Sequence, residues 1–60
     1  MTCILVIEDE ALVRENVVEL LKAEGYSSLD ARNGEEGTRL AREMLPDLIL
    51  CDIQIGRAHV

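Results

Sequence analysis

A chain of 60 residues lies near the lower size limit for independent folding, so it holds at most one domain. Twelve acidic side chains outnumber six basic ones, and no run of Lys or Arg could follow a phosphate backbone, which argues against direct binding of nucleic acid. No segment has the length and apolar character of a membrane span or a signal peptide, which predicts a cytoplasmic protein without a membrane partner.

The first predicted elements are a buried strand and an amphipathic helix. Residues Ile4–Ile7 form a continuous run of β-branched residues and leucine, typical of a strand covered on both faces, and acids follow it. Apolar residues then recur at steps of three and four, which predicts a helix from Ala11 to about Glu24 with Gly25 at its C-terminal cap. The basic side chains of this helix, Arg14 included, are expected on its solvated face.

The same alternation continues along the chain. Residues 26–32 predict a weaker strand at a sheet edge, because serine and aspartate are poor strand formers. A turn at Asn33-Gly34 leads into a helix from about Glu35 to Met44, which Pro46 ends. Leu48–Cys51 again has the pattern of a strand buried on both faces. The predicted order is β-α-β-α-β.

This order predicts an α/β fold with a doubly wound parallel sheet in the strand order 2-1-3. Right-handed crossovers place the carboxyl ends of all the strands at one edge, so Glu8, Asp9 and Asp52 should meet there. Cys3 and Cys51 would lie at opposite ends of neighbouring strands, too far apart for a disulfide, and are expected to be reduced.

Three carboxylates in one crevice repel each other unless a cation or a shared proton relieves the repulsion. Oxygen ligands favour Mg²⁺, which takes one or two carboxylates together with waters and phosphate oxygens. Asp52 stands alone at its strand end and is the expected nucleophile toward phosphorus, whereas Glu8 and Asp9 are expected to share the metal. The backbone carbonyl of Gln54 could complete the coordination. Asp9 as a helix cap and Glu8 as a group that only tunes charge remain alternatives.

Three segments together carry a family resemblance: Ile4-Leu-Val-Ile-Glu-Asp-Glu10, Asn33-Gly-Glu-Glu36 and Pro46-Asp-Leu-Ile-Leu-Cys-Asp52. Their order and spacing over residues 3–53 are similar to those of response-regulator receiver domains of two-component signalling. The resemblance implies a flavodoxin-like fold, with Asp9 as the direct Mg²⁺ ligand, Glu8 as its acidic partner and Asp52 as the phosphoacceptor. It also implies a sensor histidine kinase or phosphotransfer protein as partner, and pairing of two intact receivers as a further expectation. Such a module catalyses only its own phosphorylation and dephosphorylation.

The resemblance ends after Asp52, where the family continues with Met-Pro but this chain reads Gln54-Ile-Gly-Arg-Ala-His-Val60. The family's fourth-strand Ser or Thr and fifth-strand Lys have no counterpart in the sequence. Residues 1–54 are therefore expected to be the N-terminal half of a receiver, holding only β1-α1-β2-α2-β3. The tail 55–60 resembles a translation of ATC GGA AGA GCA CAC GTC, which lies within a sequencing-library adapter. A natural or engineered terminus of arbitrary sequence is the alternative.

Two other functions are compatible with these residues. A phosphatase or phosphotransferase that works through an aspartyl phosphate would often carry an acid at position 54, where Gln stands. An interaction domain that binds independently of phosphate would retain the fold with an inactive pocket. The adjacent acids Glu8 and Asp9 favour the receiver. A half receiver by itself is expected to fold poorly and to be inactive, since its sheet would have an uncovered apolar edge.

Overall fold

The computed structural model of the chain describes residues 1–52. Its elements follow the predicted order, with strands β1 (Cys3–Glu8), β2 (Ser27–Ala31) and β3 (Leu48–Asp52) and helices α1 (Ala11–Ala23) and α2 (Gly34–Met44). The predicted bounds differ from these by at most one residue at each end. The predicted metal ligand Gln54 and the predicted non-native tail 55–60 lie outside the described residues.

The three strands form a parallel sheet in the order β2-β1-β3, which confirms the predicted topology. The chain passes from β1 to β2 through α1, and then returns past β1 to β3 through α2. Right-handed crossovers in these two directions place α1 and α2 on opposite faces of the sheet. The carboxyl ends of β1 and β3 lie side by side at one edge, because Glu8 and Asp52 are register partners.

The core lies between the sheet and α2. Leu5, Ile7 and Ala31 are buried there, and three partly buried residues pack against them, namely Leu29, Leu40 and Ala41. Alternation along β1 directs Ile4, Val6 and Glu8 to the opposite face, toward α1. β1 is therefore covered on both faces, as its unbroken apolar run predicted.

Strand β3 is not buried on both faces, as its apolar run alone predicted, but forms the uncovered apolar edge expected of a half receiver. All five of its residues are exposed, and even its central residue Leu50 has 40% of its surface accessible. Within residues 1–52, β3 contacts β1 alone, and neither helix reaches it. Its apolar run indicates a strand that needs cover, but α1 and α2 pack over β1 and β2 only.

The helix ends follow the local sequence. Gly25 has a φ of +93° and donates its amide to the carbonyl oxygen of Lys22, which ends α1 at the predicted glycine. At the start of α2, Asn33 Oδ1 accepts a 2.8 Å hydrogen bond from the Glu36 amide, and Glu36 Oε1 accepts one from the Arg32 amide. These reciprocal bonds satisfy amide groups that have no partner within the helix.

The two cysteines are free, as predicted. Ile7 of β1 pairs with Cys51, so Cys3 lies four positions back along the neighbouring strand. At a rise of about 3.3 Å per residue, four positions separate the two cysteines by more than the reach of a disulfide. No helix within the described part of the chain is long and apolar enough to cross a membrane.

Candidate functional site

The candidate site lies at the sheet edge where β1 and β3 end. Glu8 is the last residue of β1 and Asp52 is the last residue of β3, and the two are paired in register. Neighbouring strands lie about 4.8 Å apart, so this pairing brings two carboxylates onto adjacent backbone positions. Asp9 and Glu10 form the link from β1 to α1 at the same edge.

Glu8, Asp9, Glu10 and Asp52 line an open cavity of about 380 Å³ together with Val13 of α1. The three acids singled out in the sequence therefore border a single cavity. Among the described residues, every charged side chain in this lining is a carboxylate. These side chains offer oxygen ligands, which Mg²⁺ prefers.

Glu8 differs from the other acids because it is buried, with 6% of its surface accessible. Its Oε2 accepts a 3.0 Å hydrogen bond from the Glu10 amide, which lowers the pKa of the carboxyl group. Burial, the hydrogen-bonding interaction with the Asp9 carboxyl and the negative charges of Asp52 and Asp9 raise the pKa. The net effect places the pKa of Glu8 above its ordinary value, as expected for an acid crowded by other acids.

Asp9 does not cap helix α1. Glu10 occupies the N-cap position of α1, with an extended backbone and no hydrogen bond from its side chain to the helix. The exposed Asp9 side chain borders the cavity instead. The alternative interpretation of Asp9 as the N-cap acid is wrong.

Arg14 was expected on a solvated face, and the structure corrects this expectation. Only 17% of its side chain is accessible. Its Nη1 donates a 2.8 Å hydrogen bond to the carbonyl oxygen of Glu8, and its Nε lies 3.3 Å from Asp30 Oδ2. A cation near the N-terminus of a helix opposes the helix dipole, so its position there was a signal of a specific acceptor.

Within residues 1–52, no three His, Cys, Asp or Glu side chains are grouped closely enough to hold a metal ion. Glu8 directs one carboxylate oxygen to the Glu10 amide, whereas Asp9, Glu10 and Asp52 are exposed at the cavity. Asp9 and Asp52 are the two predicted metal ligands among these exposed acids. Mg²⁺ takes only one or two protein carboxylates, so this pair fits its requirements. The backbone carbonyl of Gln54, the remaining predicted ligand, lies outside the described residues.

Comparison with known proteins identifies relatives of the chain. The sequence profile of the response regulator receiver domain matches residues 4–59. The polar-differentiation response regulator DivK of Brucella anthropi is 44% identical over 52 residues, which are 87% of this chain and 42% of that protein. The transcriptional regulatory protein PdtaR of Mycobacterium tuberculosis is 40% identical over 55 residues, 90% of this chain and 27% of that protein. The chain spans less than half the length of these curated relatives.

Proposed function

Because the chain belongs to the response regulator receiver domain family, we propose that its parent protein accepts a phosphoryl group on Asp52 from a histidine kinase or phosphotransfer protein. The observation that carries this proposal is the cavity at the sheet edge, which Asp52 shares with the acids Glu8 and Asp9. In a doubly wound sheet, ligands bind at the carboxyl ends of the strands beside the point where the strand order reverses. β1 and β3 flank that point.

The proposed reaction is a transfer between two nucleophiles. A carboxylate oxygen of Asp52 attacks the phosphorus of a phosphohistidine, and a P–O bond forms while the P–N bond breaks. The electron pair of the P–N bond returns to the imidazole nitrogen. Asp52 is exposed at the strand end, so a partner's phosphohistidine can approach it from solvent.

Mg²⁺ would be held by Asp9 and Asp52, with Glu8 adding negative charge beside them and the Gln54 backbone carbonyl as a further proposed ligand. A bound Mg²⁺ would offset the charge of the phosphoryl oxygens that enter this acidic cavity. Without a cation, four carboxylates in the cavity lining would repel a phosphoryl group.

The product acyl phosphate would shift a two-state equilibrium that changes partner binding, a signalling role in which the receiver catalyses only its own phosphorylation and dephosphorylation. Pairing of two receivers in the parent protein belongs to the same proposal. A cytoplasmic location is proposed together with this role.

The 60-residue chain by itself is proposed to be inactive, since the Ser or Thr and the Lys that hold phosphoryl oxygens in the family have no counterpart in its sequence. Residues 1–54 would be the N-terminal half of the receiver, and 55–60 a translated sequencing adapter. Sequencing the source nucleic acid through the codon of Ile55 tests this assignment. A frame that continues with Met-Pro and supplies those residues supports it, whereas an authentic stop after Val60 contradicts it.

Phosphorylation is tested on the longest protein that the source reading frame encodes. Incubation with Mg²⁺ and a small phosphodonor such as acetyl phosphate should add one phosphoryl group that hydroxylamine removes, as expected for an acyl phosphate. Asp52→Asn should abolish the modification, and omission of Mg²⁺ should suppress it. Asp47→Asn, just before the opposite end of β3, is the matched control and should be modified like the wild type. Modification of Asp52→Asn at the wild-type level would contradict the proposal.

A further inference from the structure

Arg14 joins three elements that meet behind the acidic cavity. Its guanidinium donates to the carbonyl oxygen of Glu8 at the end of β1, and the same group forms an ion pair with Asp30 of β2. Arg14 itself belongs to the first turns of α1. Its side chain is mostly buried, and it does not line the cavity.

The carbonyl that Arg14 binds belongs to the peptide bond between Glu8 and Asp9. Glu10 is fixed as well, because its amide donates to Glu8 Oε2 and its carbonyl accepts a 2.9 Å bond from the Arg14 amide. Asp9 thus lies between two anchored positions, and Arg14 supplies a bond to each of them. A side-chain substitution at Arg14 removes the bond to Glu8 and retains the backbone bond to Glu10.

The ion pair with Asp30 orients the guanidinium rather than supplying much stability. Asp30 has 57% of its side chain accessible, and exposed ion pairs contribute little to the free energy of unfolding. The planar guanidinium can nevertheless use Nε for Asp30 and Nη1 for the Glu8 carbonyl at the same time. A lysine ammonium at this position would lack that fixed arrangement.

From these contacts we infer that Arg14 is a positioning residue for the cation site. It fixes the Glu8–Asp9 peptide so that the Asp9 carboxylate is held at the cavity before a divalent cation binds. This inference rests on the proposed function, because it concerns the affinity of the proposed Asp9 and Asp52 site. Groups that orient metal ligands without touching the metal typically change metal affinity by about 10- to 100-fold when they are removed.

A positioning role and a purely electrostatic role predict opposite signs. The positive charge of Arg14 lies behind the cavity and repels any cation in it, so removing the charge should tighten cation binding if charge alone mattered. Removing a positioning bond should instead weaken binding, because the Asp9 backbone must then be ordered when the cation binds. A merely structural role would change the free energy of unfolding and leave the cation affinity of the folded protein unchanged.

The experiment measures the Mn²⁺ dissociation constant from the electron paramagnetic resonance signal of free Mn²⁺, using the unphosphorylated protein encoded by the full reading frame. Arg14→Gln should bind Mn²⁺ about tenfold more weakly than the wild type. Arg14→Lys should fall between the two. The control Arg39→Gln removes an equal charge from the exposed surface of α2 and should stay within about twofold of the wild type, as expected for a distant exposed charge. Urea unfolding in the same buffer identifies the folded fraction of each variant.

Unchanged or tighter Mn²⁺ binding by folded Arg14→Gln would overturn the inference while leaving the cation site in place. If Arg14→Gln does not fold, Arg14→Lys and Asp30→Asn are judged by the same criterion, since each retains part of the linkage. A wild-type protein that binds no Mn²⁺ would overturn the proposed function and this inference with it. Weaker binding by Arg14→Gln alongside unchanged binding by Arg39→Gln would support both.

Discussion

Gly37 of α2 lies directly against the side chain of Ile7, so closely that an added Cβ would stand 2.8 Å from Cγ1 of Ile7 and nearer still to its Cδ1. Gly37 is the buried residue of the helix, and the contact sets how near α2 approaches the sheet. Gly37→Ala should therefore destabilise the protein by about 1–3 kcal/mol despite the better helix propensity of alanine. The free energy of unfolding in urea measures the change.

The partner side chain provides the control for this prediction. Ile7→Val removes Cδ1 and should recover part of the loss in the Gly37→Ala background, although it destabilises the wild type by about 1 kcal/mol. The two substitutions should thus be less harmful together than the sum of their separate effects. Strict additivity would show that the close approach seen here does not limit the packing.

Glu8→Gln should stabilise the metal-free protein at neutral pH. The folded chain raises the pKa of Glu8, so between the unfolded and folded pKa values the folded state binds more protons than the unfolded state. Stability therefore falls as pH rises through that interval and remains reduced above it. Glutamine carries no charge, and its side-chain oxygen can still accept from the Glu10 amide.

The measurement for Glu8 is urea unfolding in EDTA at several pH values from mildly acidic to neutral. The stabilisation of Glu8→Gln over the wild type should grow as pH rises, whereas Glu19→Gln, which removes a charge from the exposed surface of α1, should show no such trend. A gain that is largest at the acidic end would reverse the assigned sign. Added Mg²⁺ should stabilise the wild type, because it binds the folded state and not the unfolded one.

Asp47 links the start of β3 to the start of β1 through two hydrogen bonds. Its Oδ2 accepts a 2.7 Å hydrogen bond from the Cys3 amide, and its own amide donates a 2.8 Å bond to the Cys3 carbonyl. Asp47→Ala should cost about 1–2 kcal/mol, because a hydrogen bond to a charged acceptor is lost. Hydrogen exchange of the Cys3 amide should accelerate in Asp47→Ala and much less in Asp47→Asn, which retains an acceptor. Equal protection in both variants would contradict this role.

Ser28→Ala should leave stability unchanged or raise it slightly. The Ser28 Oγ is buried and has no hydrogen-bond partner among the described residues. Replacing it removes a polar atom from a site where its interaction with water has been lost, and so the usual cost of deleting a hydrogen bond does not arise. Thermal unfolding of Ser28→Ala and of Ser27→Ala, beside it on β2, makes the comparison. A loss above about 1 kcal/mol for Ser28→Ala would point to an unrecognised partner for its hydroxyl.

Much of the fold could be predicted because short-range patterns decide it. The unbroken apolar run Ile4–Ile7 specifies a strand covered on both sides, and Gly25 and Asn33 mark helix ends through backbone geometry and side-chain capping. Strand β2 forms despite its poor strand formers, because Leu29 and Ala31 pack on the face toward α2. Asp30 lies on the other face and forms an ion pair with Arg14. The alternation of elements then fixes the parallel order.

The exposure of β3 and the partners of Arg14 depend on distant parts of the chain, so the sequence around each of them gives only an indirect indication. The apolar run Leu48–Cys51 has the sequence of a covered strand, yet cover depends on which elements pack against it. Arg14 bonds to the end of β1 and to β2, two partners that meet only after the sheet has formed. The acids at the strand ends were predictable in position, whereas the burial of Glu8 alone among them depends on this packing.

Among residues 1–52, β3 is attached through β1 alone, so formation of the acidic cavity has a folding cost of its own. Asp9 follows β1 and Asp52 ends β3, so the two meet only when a loop that contains β2 and both helices has closed. A ligand that contacts both carboxylates can therefore bind only after this loop has closed. The pairing of β3 with β1 and the binding of such a ligand are therefore coupled. Each process makes the other more favourable by the same free energy, so β3 should be more firmly paired when the cavity is occupied.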